Sequence, residues 1–597
     1  MSPARPSGTR GTRSRAGTAT ESRFPPHVLR EYALLADGER GAVVGPRGDI
    51  VWLCAPRWDN PAVFAALIGG QGIYTITPDD RFVWGGYYED DSMIWRNKWT
   101  TSSGIVECRD ALAYPADSHR VILLRQVRAA DGDARVDVIL QPRGGYDQQP
   151  LTDVHRNHEV WTARLGDLYL RWTGAGAATA RAGGEQLVLS LALEAGQHHD
   201  FVLEISDHIL PDEPADAAQC WRATEQAWAA GVPRLDGGLA PHATRRSYAL
   251  LRGLTSTGGG MVAAATTSLP ERAEAGRNYD YRYVWIRDQC YAGIAVAAAN
   301  EYPLLDAAVS FVTARLHEYG DRMAPAYTTT GAAVPDQRTL DLPGYPGGSN
   351  LIGNWVNQQF QLDAYGEALQ LFAAAARHDR LDTDGWAAAE TAATAIAARW
   401  IEPDAGIWEI EPRAWTHSRL TAAGGLRAIA AAHPAPGQAA DWIALADHIT
   451  ADTSAHALHP DGRWQRSPDD PALDAALLLP GLRGAIPADD PRTTATLSAY
   501  LRELTIDEYA YRFRHDGRPL GDAEGSFLLC GFITALALHQ NGDRLDARGW
   551  YERTRAACGP PGLFSEEVDA TQHQMRGNLP QAFVHALMIE TSTRLAN

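Results

Sequence analysis

Ala368-Leu-Gln-Leu-Phe-Ala-Ala-Ala-Ala-Arg377 places Leu369, Phe372, Ala373 and Ala376 at spacings of three and four residues, the repeat of one helix face. Its run of alanines suits the close approach of a second helix. Working outward, the same period recurs over 242–256, 288–300, 303–318, 355–376, 383–400, 418–432, 437–456, 471–482, 491–505, 525–539, 543–557 and 580–595. That makes about twelve helices. Pro580 stands at a first helical position after Asn578, and Gly320 follows a C-terminus. Twelve helices in alternating order are the number needed for an inner and an outer ring of six.

Upstream of residue 240 the period changes. Between Tyr32 and Ile209 the chain carries short β-branched and aromatic runs, such as Val121-Ile-Leu-Leu-Arg-Gln-Val127 and Leu168-Tyr-Leu-Arg-Trp172. Turn signals such as Ala130-Asp-Gly-Asp133 separate them. Many short strands with hairpin-like connections predict an antiparallel β-sandwich. Residues 214–230 are helical in pattern, with Trp221 and Trp228 on one face. The fold class is therefore α+β multidomain: a disordered tail over 1–24, a sandwich over 25–213, a linker helix within 214–240 and a helical catalytic domain over 241–597.

The chain has 597 residues, too many for one ordinary core. Its formal net charge of -19 argues against a nucleic-acid partner, because phosphate binding rests on Lys and Arg. The six cysteines show no metal-ligand or CxxC spacing and are expected to be buried free thiols. The 19 histidines contain no HExxH pattern, so no metal and no cofactor is expected. No stretch approaches the roughly 18 apolar residues of a membrane span. The first 24 residues lack an apolar signal-peptide core, so a cytoplasmic location is expected. The oligomeric state is not legible.

The loops 319–354, 401–417, 506–524 and 558–579 are long and carry many Trp, Tyr, Asp, Glu, Arg and Asn residues. Long loops in a compact domain are usually functional. Flat aromatic faces mixed with planar polar groups are what a sugar site needs. Acetal cleavage needs two carboxyl groups in opposite protonation states. Among 73 acidic residues, two positions stand out. Glu409 follows Trp408 in Asp404-Ala-Gly-Ile-Trp-Glu409, where a neighbouring indole would disfavour the charged form. Glu566 lies in Gly562-Leu-Phe-Ser-Glu-Glu-Val-Asp569. The first falls between the fifth and sixth helices and the second between the eleventh and twelfth, so paired rings would open both loops at one end. Taken alone, each is more often a solvated loop glutamate. Asn278-Tyr-Asp-Tyr-Arg-Tyr-Val-Trp-Ile-Arg-Asp288 reads equally as packing at a barrel end or as a sugar clamp.

Taken in order, these segments resemble glycoside hydrolase family 15, the glucoamylase family, in its bacterial two-domain form. The resemblance runs from Glu31-Tyr-Ala-Leu-Leu35 and Gly48-Asp-Ile-Val-Trp-Leu-Cys-Ala-Pro-Arg-Trp-Asp59 through Thr266-Thr-Ser-Leu-Pro-Glu271 and the 278–288 segment. It continues through Gly353-Asn354, Gly406-Ile-Trp-Glu409 and Leu563-Phe-Ser-Glu-Glu567 to Gly577-Asn-Leu-Pro-Gln-Ala-Phe583. It implies an N-terminal β-sandwich followed by an (α/α)6 barrel. It also implies an inverting mechanism with Glu409 as general acid and Glu566 as general base. Arg287 and Asp288 match the pair that holds the non-reducing glucose, Tyr281 the tyrosine beside the base, and Trp285 and Trp408 pocket walls. Glu567, Asn354 and Trp58 are further candidates for substrate contact. Val284 and Ile286, Arg419 and Gly531-Phe-Ile533 depart from residues common in the family, and are expected to bear on the leaving-group side.

The reading is an exo-acting hydrolase that releases β-glucose from a small α-linked glucoside or oligosaccharide such as isomaltose or maltose. An α,α-trehalase is the alternative. A non-catalytic glycan-binding protein on the same fold is a further one, weakened by retention of both glutamates. A phosphorylase is disfavoured because a carboxylate at Glu566 would repel phosphate.

Overall fold

The computed structural model describes residues 24–272, 278–433, 435–515 and 517–597. The tail read from the sequence lies, up to residue 23, outside them. Two antiparallel eight-stranded sheets occupy the stretch from Ala33 to Ser206. One runs in the order Ala33–Ala36, Gly41–Val44, Asp49–Cys54, Ile73–Pro78, Ala134–Gln141, Gln186–Leu193, Thr179–Arg181, with Ala62–Phe64 beside the third. The other is built around Arg120–Asp131 and His198–Ser206. Buried aromatic rings close the sandwich: Trp172 of the second sheet donates its Nε1–H to the Tyr74 hydroxyl of the first at 3.1 Å. Arg125 crosses the same core, paired with Asp110 and donating to the carbonyls of Tyr74 and Gly48. A buried guanidinium is tolerated there because each of its nitrogens has an acceptor.

Helix Ala217–Gly231 packs on Arg120–Asp131 and His198–Ser206, burying Trp221 and Trp228, with the Asp216 side chain capping its start. After it the chain is helical. Helices Ile286–Ala298, Leu362–Arg377, Thr416–Ala432, Leu479–Leu482, Leu528–Gln540 and Ala582–Ala596 each contact the next, and the last contacts the first, closing an inner ring. Pro241–Leu254, Pro303–Tyr319, Thr383–Arg399, Pro436–His456, Pro491–Glu503 and Arg544–Arg555 lie outside it. The molecule is an antiparallel β-sandwich followed by an (α/α)6 barrel.

Two helices differ from the sequence pattern. The one expected from 355 starts at Leu362, whose N–H donates to Asp404 Oδ2 at 3.2 Å. Trp355 therefore stands on the loop before it. The one expected over 471–482 shrinks to a 3-10 turn, Ala475–Leu478, and one α turn, Leu479–Leu482. Pro480 has no N–H to continue the ladder.

Turns from an inner to the next outer helix are short. All six outer-to-inner connections, such as 255–285, 320–361 and 556–581, are long and gather at one end of the barrel. The sandwich docks there: Trp52 Nε1–H donates to Ala265 O at 2.9 Å and Gly38 N–H to Gly253 O at 2.9 Å. All six cysteines are free thiols, four of them buried. Among the described residues, no helix is long and apolar enough to cross a membrane.

Candidate active site

At the loop-rich end lies a cavity of about 280 Å³. Its wall includes Glu409, Glu566, Tyr281, Trp285, Arg287 and Trp408. They come from three pieces of local structure: the 278–288 segment, the turn that ends at Glu409, and the residue before the strand Glu567–Asp569.

Glu409 ends a tight turn. Asp404 Oδ2 accepts from Gly406 N (3.1 Å) and Ser418 Oγ (2.8 Å) as well as Leu362 N, tying the turn to two inner helices. Gly406 has φ +68°, and a Cβ there would come within 2.8 Å of the Trp415 ring. Glu409 itself sits at φ +56°, a region non-glycine residues rarely adopt. Such strain is commonly kept at functional sites. Its Oε1 accepts the Trp285 indole N–H at 2.6 Å and lies 3.7 Å from Arg287 Nη1. Burial raises the Glu409 carboxyl above its ordinary range, against the pull of Arg287 and the Trp285 hydrogen bond. The sequence assigns that upward shift to Trp408. In the structure its first cause is burial, and Trp408, on the same wall, donates its own N–H to Asp474 Oδ1 at 2.7 Å.

Glu566 accepts the Tyr281 hydroxyl on Oε1 at 3.0 Å. Its carboxyl is pushed up to about 8, by burial first and then by the charge of Glu271. Arg512 and the Tyr281 hydrogen bond oppose the rise. Gly577 leaves room for it, since a Cβ there would stand 3.2 Å from Oε2.

Arg287 donates from Nε to Asp288 Oδ1 (2.8 Å) and from Nη1 to Ile407 O (2.8 Å), with its guanidinium 5.3 Å from the centre of the Phe583 ring. Asp288 is fully buried behind it and is not on the cavity wall. Asn354 lines the cavity. Tyr281 stacks on Tyr279 and meets Trp285 edge-on.

Besides Asp288, two further expected contacts are corrected. Trp58 is a core residue of the sandwich, 1% exposed, its N–H on Gly38 O at 2.8 Å. Glu567 begins the strand Glu567–Asp569, whose side chains alternate between faces. It turns away from the cavity, accepting from Gly525 N at 2.6 Å and lying 3.7 Å from Arg512. The departures at Val284, Ile286, Arg419 and Gly531–Ile533 are likewise off the wall.

The structure adds wall residues that periodicity leaves unmarked: Arg512, Glu271, Trp355, Gln337, Gln359 and Gln581. The loop 506–524 carries a signal, an arginine between aromatics in Tyr511-Arg512-Phe513, but nothing in it says which of its arginines turns inward. Glu271, Glu524 and Glu567 bring carboxylate oxygens within 4.8 Å of one another, as a metal site would. The Arg512 guanidinium already pairs with all three. A second group, His119, Asp207 and His208, is exposed on the sandwich.

Two carboxyl groups on one cavity, each with its own hydrogen-bond donor and beside an arginine anchored by a buried aspartate, is a glycosidase arrangement. The model for glycosyl hydrolases family 15 matches residues 245–593. The chain belongs to glycosyl hydrolases family 15. It is a glycoside hydrolase. The stretch 25–164 of this family 15 hydrolase matches a second model, described as trehalase-like, N-terminal. The chain is 30% identical to the trehalase of Mycolicibacterium smegmatis, with 96% of this chain and 92% of that one covered. It is also 30% identical to the trehalase of Mycobacterium tuberculosis, over 95% and 89% of the two chains. A bacterial glucoamylase complexed with acarbose shares the fold at TM-score 0.70 and 14% identity, covering 96% of both chains.

Proposed function

We propose that this hydrolase cleaves α,α-trehalose with inversion. Glu409 gives its proton to the bridging oxygen, while Glu566 takes a proton from the water that attacks the anomeric carbon from the opposite face. The bond from that carbon to the bridging oxygen breaks. The attacked unit leaves as β-glucose and the other, its anomeric bond untouched, as α-glucose. The observation that carries the chemistry is the pairing of each carboxyl with its own donor, Trp285 on Glu409 and Tyr281 on Glu566. An indole N–H on the acid stabilises the carboxylate left after proton transfer. Arg287, held in place by Asp288 behind it, binds hydroxyls of the attacked glucose. Trp355 and Tyr279, partly exposed at the mouth, offer flat faces to the leaving one.

The choice of trehalose rests on the relatives, which are named trehalases and match this chain across both the sandwich and the barrel. It reverses the order read from the sequence, where isomaltose and maltose come first. The glucoamylase likeness, at 14% identity, speaks for the fold alone.

Proton NMR of the anomeric signals in the first minutes tests the proposal. Trehalose should give α- and β-glucose in equal amounts before mutarotation. Two α products would refute inversion. Turnover of maltose or isomaltose with none of trehalose would restore the sequence-based order.

A further inference from the structure

The aromatic segment runs extended beside residues 263–268, with Ser268, Ala264 and Ala263 donating N–H groups to the carbonyls of Tyr279, Tyr281 and Tyr283. Its side chains alternate. Tyr279, Tyr281 and Trp285 line the cavity; Asp280 and Arg282 do not. Those two are buried on the opposite face, against the β-sandwich, with Arg282 only 1% exposed.

Arg282 holds Asp280 through Nε–Oδ1 (2.9 Å) and Nη2–Oδ2 (2.6 Å). Its remaining N–H groups go to the sandwich: to Cys54 Sγ (3.1 Å), Trp58 O (3.2 Å), Asn60 O (3.3 Å) and the Tyr146 hydroxyl (3.1 Å). Its guanidinium carbon lies 5.6 and 5.7 Å from the Trp52 and Tyr146 ring centres. Asp280 in turn accepts Gly353 N at 2.9 Å, and its carbonyl accepts Asn354 Nδ2 at 3.5 Å, so it also fixes the loop that carries a cavity residue.

A guanidinium fork satisfied on every side has one orientation, which is why it locates a strand where a single flexible charge would not. The residue before Arg282 is Tyr281, on Glu566, and three residues after it comes Trp285, on Glu409. The geometry points to Arg282, with Asp280, as a positioning pair. It uses the β-sandwich as a template for the aromatic strand and so sets the placement of both glutamates. This rests on the reading of Glu409 and Glu566 as acid and base. A displacement of about 1 Å at such a site costs on the order of 100-fold in rate.

The test is Arg282→Lys in the full chain, which keeps the charge and loses the fork. Thermal unfolding, kcat, KM and hydrogen–deuterium exchange are measured on the folded protein. Expected is a roughly 10- to 100-fold loss of kcat with KM changed less than about threefold. Exchange should rise in 278–288 and, remotely, in 404–413. A folded variant with the parent's kcat, or a rise in exchange confined to sandwich peptides, overturns the proposal. Should the lysine variant not fold, Tyr146→Phe removes one of the fork's acceptors outside the cavity. It should lower kcat roughly two- to fivefold at unchanged KM, and an unchanged kcat overturns the proposal. Failure of the trehalase reading looks different: the parent protein itself would leave trehalose uncleaved. The exchange pattern in 404–413 would then still decide for or against the positioning pair.

Discussion

The two glutamates share a cavity and live in opposite electrostatic surroundings. Glu409 has an arginine 3.7 Å away and an indole N–H on its oxygen. Glu566 belongs to a crowd in which Glu271, Glu524 and Glu567 surround the single guanidinium of Arg512. Burial raises both carboxyls. On the Glu409 side the pull of Arg287 and the Trp285 hydrogen bond ranks above the like charge of Asp288, while on the Glu566 side the like charge of Glu271 ranks above the pull of Arg512 and Tyr281. A group whose donors rank above the like charge beside it responds mainly to changes in those donors. A group raised also by a neighbouring anion responds to that anion. The difference makes the two halves of the site separately tunable.

The largest effect should come from removing either carboxyl. Glu566→Gln is expected to lower turnover by about 100- to 10,000-fold on every α-glucoside tested. Glu409→Gln should do so for trehalose yet spare much of the activity on an activated aryl α-glucoside, whose leaving group needs no proton. Equal losses across substrates for both variants would erase the contrast between them.

Trp285→Phe should have a smaller effect, because it removes one hydrogen bond to a charged group, about 1.5–3 kcal/mol and so roughly 10- to 100-fold. Without that donor the charged form of Glu409 is less favoured and its pKa rises further. The pH profile of kcat/KM should therefore hold up to higher pH than in the parent. A profile that keeps its shape would mean that the indole supports the acid only by packing.

Glu271→Gln should have the smallest effect and the opposite sense. Loss of that negative charge lowers the pKa of Glu566 from about 8, so more of it is ionised below that pH. Activity relative to the parent should rise as pH falls below 8, while the alkaline shift expected for Trp285→Phe is absent. A pH–rate series on purified, folded protein reads both variants. If the two profiles moved together, the separation of the halves would be wrong.

Much of this site is legible along the chain because loops between strongly periodic helices declare themselves. Counting helices places the Glu409 and Glu566 loops at one end, since both precede an inner helix, but picking these two glutamates out of the loop carboxylates rests on the family resemblance. Arg512 is not legible in the same way: the loop 506–524 has no period, and a charged residue in it faces solvent as readily as a pocket. Trp355 is hidden for another reason. Its apolar character extends a helical pattern past the point where Asp404 starts the helix, at Leu362. That contact joins residues far apart in sequence.

Side-chain spacing alone carries the change from a two-residue to a 3.6-residue period near residue 240, the number of barrel helices and the long loops whose residues line the cavity. These are local properties, written in side-chain spacing. Only the tertiary structure decided between neighbours. Tyr281 faces the cavity and Arg282 the sandwich, and Glu566 lines the wall while Glu567 does not. Trp58 is core where a pocket wall was expected. Adjacent residues in extended chain point to opposite sides. Which side is the cavity depends on what packs against each face, and a one-residue pattern carries no information about that.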